Sequence, residues 1–220
     1  MIEAIMESHY IQSLPFLLKG LVWTIIITIV GLILGFALGA ITGLGRLSKN
    51  KLIRGICAVY VEVVRGTPIL VQVLFIFSGL TEDIIGFNID KVTASIIAIT
   101  INAGAYIAEI VRGAVHSIDK GQHEAGRSLG LTQRQTMRFI IWPQALKRMI
   151  PPLGNQFIIS LKDTSLFSVI AVGELLYMGK QYYNATFSAF QTLIMVCILY
   201  LIITVPTSFY LRKLERKLDV

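Results

Sequence analysis

The chain has 220 residues, of which 55% are hydrophobic and 15% charged, and its mean hydropathy is +0.71. That composition excludes a water-soluble globular protein or a separate soluble domain and points to an all-α polytopic membrane protein, one transmembrane domain over residues 1–220. The net charge of +7 would suit a nucleic-acid binder in a soluble chain, but here the basic residues gather in short loops between apolar runs, as the positive-inside rule requires, so no nucleic acid is expected.

Residues 1–16 carry Glu3 and Glu7 where a secretory signal would have a basic start, so the first apolar run reads as a retained span. Met1 to Leu14 reads as a short amphipathic helix at the outer surface, with Glu3, Glu7 and Gln12 open to water. A hydrocarbon core about 30 Å thick takes roughly 20 apolar residues per helix. Four segments meet that directly: 17–44, 55–80, 92–115 and 189–211. The first has glycine at every fourth position, Gly31, Gly35, Gly39 and Gly43, on one helix face. Such a face admits a close neighbouring backbone, either within the chain or from another subunit.

Sidedness follows from the loops. Residues 46–54 hold Arg46, Lys49, Lys51 and Arg54, whereas 81–91 hold Lys91 against Glu82, Asp83 and Asp90, so the first loop is cytoplasmic and the second external. The basic connection 112–148 and the tail with Arg212, Lys213, Arg216 and Lys217 both belong inside, so an even number of spans must separate them. One is 189–211; the other must be 152–172, although it carries Lys162 and Asp163, each costing about 2.5–3.5 kcal/mol at the bilayer centre. The result is five spans, with the N-terminus outside and the C-terminus cytoplasmic. Cys57 and Cys197 lie in or beside spans without a CxxC or histidine-rich context, which predicts neither a disulfide framework nor a metal site.

Residues 116–143 are too polar to span and read as two short helices with an elbow. Gly130 supplies the left-handed residue that ends the first. Thr132 and Gln135 form a T-x-x-Q capping box opening the second, Met137 to Ile141, which Pro143 stops or bends. Ala125 and Gly126 give the first helix a small-residue face between Glu124 and Arg127, suited to close docking of a charged partner.

The pattern E-A-small-x-x-x-G-x9-I-x-x-P, carried by Glu124, Ala125, Gly126, Gly130, Ile140 and Pro143, resembles the cytoplasmic EAA loop of bacterial ABC importer permeases. Gly126 stands where a second alanine is usual and Trp142 where leucine is commoner; neither change alters the small face or the proline. Arg65 to Ile69, Gln72-Val73, Asn102 to Glu109, Pro151 to Gln156 and Lys162 to Leu166 extend the resemblance over nearly the whole chain. They are similar to the polar amino acid permeases, the glutamine branch most closely, with the arginine, histidine, glutamate and cystine branches sharing much of the pattern. The resemblance implies a type I importer permease in the bacterial inner membrane. It implies ATPase coupling through Glu124, Ala125, Gly126, Arg127, Gly130 and Leu131. The implied partners are cytoplasmic ABC ATPase subunits that bind ATP and Mg, an extracytoplasmic amino acid binding protein, and a second permease chain, identical or related, in a lipid bilayer. Gly173 to Lys180 has five residues between its glycines and no Ser or Thr after Lys180, so it is not a P-loop, and this chain is expected to have no cofactor and no catalytic activity of its own.

Ionisable groups within spans face a bundle interior, a watery cavity or each other. Glu62 and Arg65 are three apart and can pair along the second span; Asn102, Tyr106 and Glu109 share a stripe on the third; Lys162, Asp163, Thr164 and Ser165 interrupt the fourth. A zwitterionic amino acid needs an acceptor for its ammonium, donors for its carboxylate and a polar pocket for its side chain. Asp163 or Glu62 suits the first role, Arg65 with Thr164 and Ser165 the second, and Asn102 the third. Thr67 and Pro68 break the helix nearby and free backbone groups for a cavity. Two readings of these groups stand: a solute path, or salt bridges that only order the bundle. An ion-gradient-driven carrier is the alternative function, although such a carrier has no need of the loop from Glu124 to Pro143.

Overall fold

The computed structural model of the chain describes residues 9–80 and 82–218, so Glu3 and Glu7 lie outside the described residues. The principal helices are α1 (Leu14–Arg46), α2 (Lys51–Arg65), α3 (Ile69–Leu74, continued by a π turn Phe75–Gly79), α4 (Lys91–His116), α5 (Lys120–Ser128), α6 (Trp142–Asp163), α7 (Leu175–Thr186) and α8 (Ala189–Leu218). A short turn of helix, His9–Gln12, leads into α1. Among the described residues three helices are long and apolar enough to cross a bilayer, His9–Arg46, Lys91–His116 and Ala189–Leu218, and the bent pair Lys51–Arg65 with Ile69–Gly79 makes a fourth if it is one span.

The glycine face of α1 lies against α4, within the chain. A Cβ at Gly39 would stand 2.6 Å from the Cβ of Ile107 and 2.7 Å from the carbonyl oxygen of Gly104; at Gly31 it would meet Ile99, at Gly35 the Thr100 carbonyl, and at Gly43 Val111. Outward, α1 exposes Val22, Ile33, Phe36 and Ile41, the arrangement of a helix whose solvent is lipid. The core between these helices is built from Ile27, Ile99, Ile107, Val111, Ile141 and Phe167.

Caps explain where several helices begin. Asp90 accepts from the amides of Val92 and Thr93 at 2.9 and 3.2 Å and from the Thr93 hydroxyl. The Thr93 hydroxyl and amide hold the Asp90 carboxyl below the usual carboxylate range. Glu174, fully buried, caps α7 through the amides of Leu176 and Tyr177 at 2.9 and 2.6 Å. The segment Gly173 to Lys180 is thus the start of a helix whose first amides are taken by its own glutamate.

Three expectations change. Residues 55–80 are not one straight span: α2 and the segment Ile69–Gly79 meet at 99° across Gly66, Thr67 and Pro68. Pro68 lacks an N–H and holds an extended backbone (φ −65°, ψ 139°), so the ladder breaks there. The segment expected at 152–172 begins earlier, at Trp142, and after Asp163 tightens into a 3-10 helix, Thr164–Ile170. Pro143 does not stop the elbow's second helix. A π turn over Met137–Ile141, with the Trp142 amide reaching the Met137 carbonyl, leaves Pro143 in the first turn of α6, where a missing N–H costs little.

Candidate functional site

Two polar regions carry the sequence candidates. Beyond the C-terminal end of α4, α5 starts at Asp119, whose carboxylate accepts from the Gly121 amide at 2.7 Å. It ends in a Schellman turn: the Leu131 amide reaches back to the Gly126 carbonyl (3.1 Å), the Gly130 amide to Arg127 (3.0 Å), and Gly130 takes φ +80°. Arg127 also donates to the Leu131 carbonyl at 3.1 Å. Thr132 and Gln135 then form the full capping box. Gly126 is the buried residue of α5, and a Cβ there would come within 2.6 Å of Thr136 Cγ2. The small residue therefore serves the elbow's own closure, while Glu124, Ala125 and Leu129 remain exposed. A cavity of about 330 Å³ lies in the elbow between His123, Arg127, Gln133 and Thr136. The Thr136 hydroxyl, 1% exposed, has no hydrogen-bond partner.

The second region is a cavity of about 330 Å³ in the bundle, lined by Arg65, Gly66, Thr67, Pro68, Ile69, Asn102, Tyr106, Ile159 and Asp163. It exists because α2 breaks. The bend leaves carbonyls without partners, and the Gln72 amide group fills that need, donating to the carbonyls of Val64 (2.8 Å) and Thr67 (3.0 Å) and to the Thr67 hydroxyl (3.0 Å). Its oxygen accepts from Asn102 Nδ2 at 3.2 Å, which ties the break to α4. The Arg65 guanidinium stands over the Tyr106 ring, 5.3 Å from its centroid. Asp163 is the last residue of α6, where the negative end of the helix dipole disfavours a carboxylate, and it has no ion-pair partner among the described residues. Arg65, Thr67 and Tyr106 are exposed in the single chain, so this cavity is one open wall.

The chain matches the family described as binding-protein-dependent transport system inner membrane component over residues 35–220. It belongs to that family. The glutamine transport system permease protein GlnP of Escherichia coli (strain K12) is 47% identical over 208 residues, 94% of this chain and 95% of that protein. The arginine transport system permease protein ArtQ of Bacillus subtilis (strain 168) is 33% identical over 211 residues, 96% of each. A crystal structure of an amino acid ABC transporter with histidines superposes with a TM-score of 0.90 at 37% identity, covering 94% of this chain and 96% of that one. The fold is that of a type I importer permease.

Within this inner membrane component the sequence candidates divide. Arg65, Thr67, Asn102, Tyr106 and Asp163 meet in one cavity. Glu62 does not pair with Arg65: its carboxylate is 4.0 Å from Arg46, whose guanidinium also donates to Glu109 at 2.6 Å, and Arg112 closes on Glu109 from the next turn. The expected stripe on α4 is thereby split, Asn102 and Tyr106 facing the cavity while Glu109 is held in an ion-pair cluster. The Thr164 and Ser165 hydroxyls are spent on carbonyls of their own helix end, Leu161 and Lys162, both at 2.7 Å. Gln72, Ile69 and Ile159 were absent from the residue-based assignment. A glutamine one turn beyond a Thr-Pro break was the signal available for the first; nothing local marks the other two. Among the described residues, no group of three or more His, Cys, Asp or Glu is arranged to hold a metal ion.

Proposed function

We propose that this chain forms one half of the membrane path of an ATP-driven importer for a polar amino acid, glutamine foremost. The observation that carries the reading is the cavity that joins the cation Arg65 and the anion Asp163 with the amide of Asn102, which donates in turn to Gln72. Its volume of about 330 Å³ is at the small end of ligand sites, which run from about 300 to 1,000 Å³. Asp163 receives the solute ammonium, Arg65 the carboxylate, and Asn102, held by Gln72, the side-chain amide. The glutamine and arginine transport permeases among its relatives support a polar amino acid as solute.

The path needs a second permease chain, identical or related, because this wall is open on one side. Five crossings, two of them made by the bent α2–α3 pair and by α6, set the N-terminus outside and the elbow in the cytoplasm of a bacterial cell. An ATPase subunit that binds ATP and Mg docks on Glu124, Ala125, Arg127 and Leu129, and an extracytoplasmic binding protein delivers solute from outside. Alternating access then follows ATPase closure transmitted through α5.

The test is uptake of labelled glutamine by the importer reconstituted with its ATPase and binding protein. Asp163→Asn and Arg65→Gln are each expected to lower uptake at least about tenfold while assembly and basal ATP hydrolysis persist; normal uptake in both would end the assignment. Uptake that collapses with a proton uncoupler while ATP is maintained would instead favour a gradient-driven carrier.

A further inference from the structure

Two cavities share a wall at the cytoplasmic end of the bundle. One is a crevice of about 350 Å³ between α1, α4 and α6, lined by apolar residues alone, among them Phe36, Ala40 and Leu44 on α1 and Trp142, Leu146 and Leu153 on α6. Phe36, Ala40 and Leu44 recur every fourth residue and so form one ridge of α1. From Trp142 to Leu153 helix α6 rises about 16 Å, close to half of a hydrocarbon core about 30 Å thick. The crevice therefore has the depth of one leaflet.

The other cavity, about 490 Å³, opens between the end of α1 and the elbow and is lined by Lys49, Gln133, Arg134, Arg138 and Trp142 together with Leu47 and Met137. Trp142 belongs to both linings, so apolar slot and basic pocket adjoin, with an indole at the boundary where membrane proteins favour one. Lys49 donates to Gln133 at 2.8 Å and Arg138 lies beside the Phe139 ring. Among the described residues, the ion pairs involve neither these two nor Arg134. Three cations thus face one pocket without a carboxylate to neutralise them. Val111, which lines the crevice, is nine residues from Asn102, two and a half turns along α4, and so occupies the face opposite the polar cavity. A second chain that closes the polar cavity would leave the crevice open to lipid.

We propose that the two cavities together hold one anionic phospholipid of the cytoplasmic leaflet, an acyl chain in the crevice and the phosphate among Lys49, Arg134 and Arg138. Shape and charge contribute separately. The slot accepts the chain of any phospholipid, whereas the pocket selects a head without a compensating ammonium, since each basic residue near an anionic lipid surface favours it by about 1 kcal/mol.

The experiment is native mass spectrometry of the assembled importer, delipidated and then supplied with phosphatidylglycerol or phosphatidylethanolamine of identical chains. The unaltered complex is expected to retain phosphatidylglycerol at least about tenfold more strongly, and the triple variant Lys49→Gln, Arg134→Gln, Arg138→Gln to bring the ratio near one. Ala40→Phe, with Ala40→Leu as the milder filling change, is expected to lower retention of both lipids. Equal retention of the two lipids by the unaltered complex overturns the proposal, as does a phosphatidylglycerol signal indifferent to all these substitutions. Displacement of the lipid by free glycerol phosphate at equal concentration would reassign the pocket to a soluble anion. Loss of the ATPase from the triple variant, with lipid preference intact, would reassign it to a subunit contact.

Discussion

The elbow and the polar cavity both interrupt an apolar chain with polar residues, and they are built in opposite ways. In the elbow the polar groups that shape the backbone are satisfied within a few residues: Asp119 by Gly121, Thr132 by Gln135, Arg127 by Leu131. In the cavity the ties run between distant segments, Gln72 to Asn102 and Arg65 to Tyr106, and Asp163 has no ion pair among the described residues. A surface that docks a partner is rigid before the partner arrives; a surface that handles a passing solute keeps charges uncommitted. The difference lies in where the hydrogen bonds go.

The largest expected effect would separate the two regions outright. A charge-assisted hydrogen bond is worth about 1.5–3 kcal/mol, so Arg65→Gln should reduce transport by roughly ten- to a hundredfold with little change in the melting temperature of the complex. If the same variant instead unfolds the chain, the cavity is as structural as the elbow. Next in size is Gly126→Val, which must displace Thr136 and Ile140. Overpacking of that kind costs about 1–3 kcal/mol, and ATPase binding in detergent should weaken while solute preference among amino acids stays as it was. Gln72→Leu lies between the regions in character: it removes the Gln72 partner of the Thr67 carbonyl and of the Asn102 amide, a loss of about 1–3 kcal/mol, and should lower both thermal stability and uptake. The smallest effect is Thr132→Ala, the loss of a cap worth about 1 kcal/mol. It should raise local amide exchange in residues 133–136 and leave uptake within about twofold; a large fall in uptake would mean that the elbow's second helix is itself part of the coupling path.

The same contrast explains what could be read from the sequence. The capping box at Thr132 and the left-handed turn at Gly130 are rules about neighbours, and both hold in the structure. The glycine ridge of α1 was evident as a contact face, but the four-residue period names no partner, and only the fold assigns it to α4. Thr67 and Pro68 marked a break; its 99° angle, and the Gln72 amide that reaches back across it, are visible only in the fold. The Glu62–Arg65 pairing failed for a physical reason: spacing along one helix permits an ion pair, but Arg46 at the end of another helix offers Glu109 and Glu62 a shared cation, while Tyr106 holds Arg65. Pro143 misled similarly, because a π turn ahead of it places the proline where helices tolerate it.

Where α1 meets α4, Gly31, Gly35, Gly39 and Gly43 put one backbone directly on the other. Ile107 and Val111 sit in the notches that Gly39 and Gly43 leave, and a slide of less than a full turn would take both side chains off those notches, so over small displacements the two helices move as one beam. On the importer reading proposed above, motion that opens the path to one side and then the other falls on the joints around that beam, the Gly66–Pro68 corner and the elbow at Gly130. The chain then works as a lever with two pivots, the paired α1 and α4 carrying a displacement from one to the other.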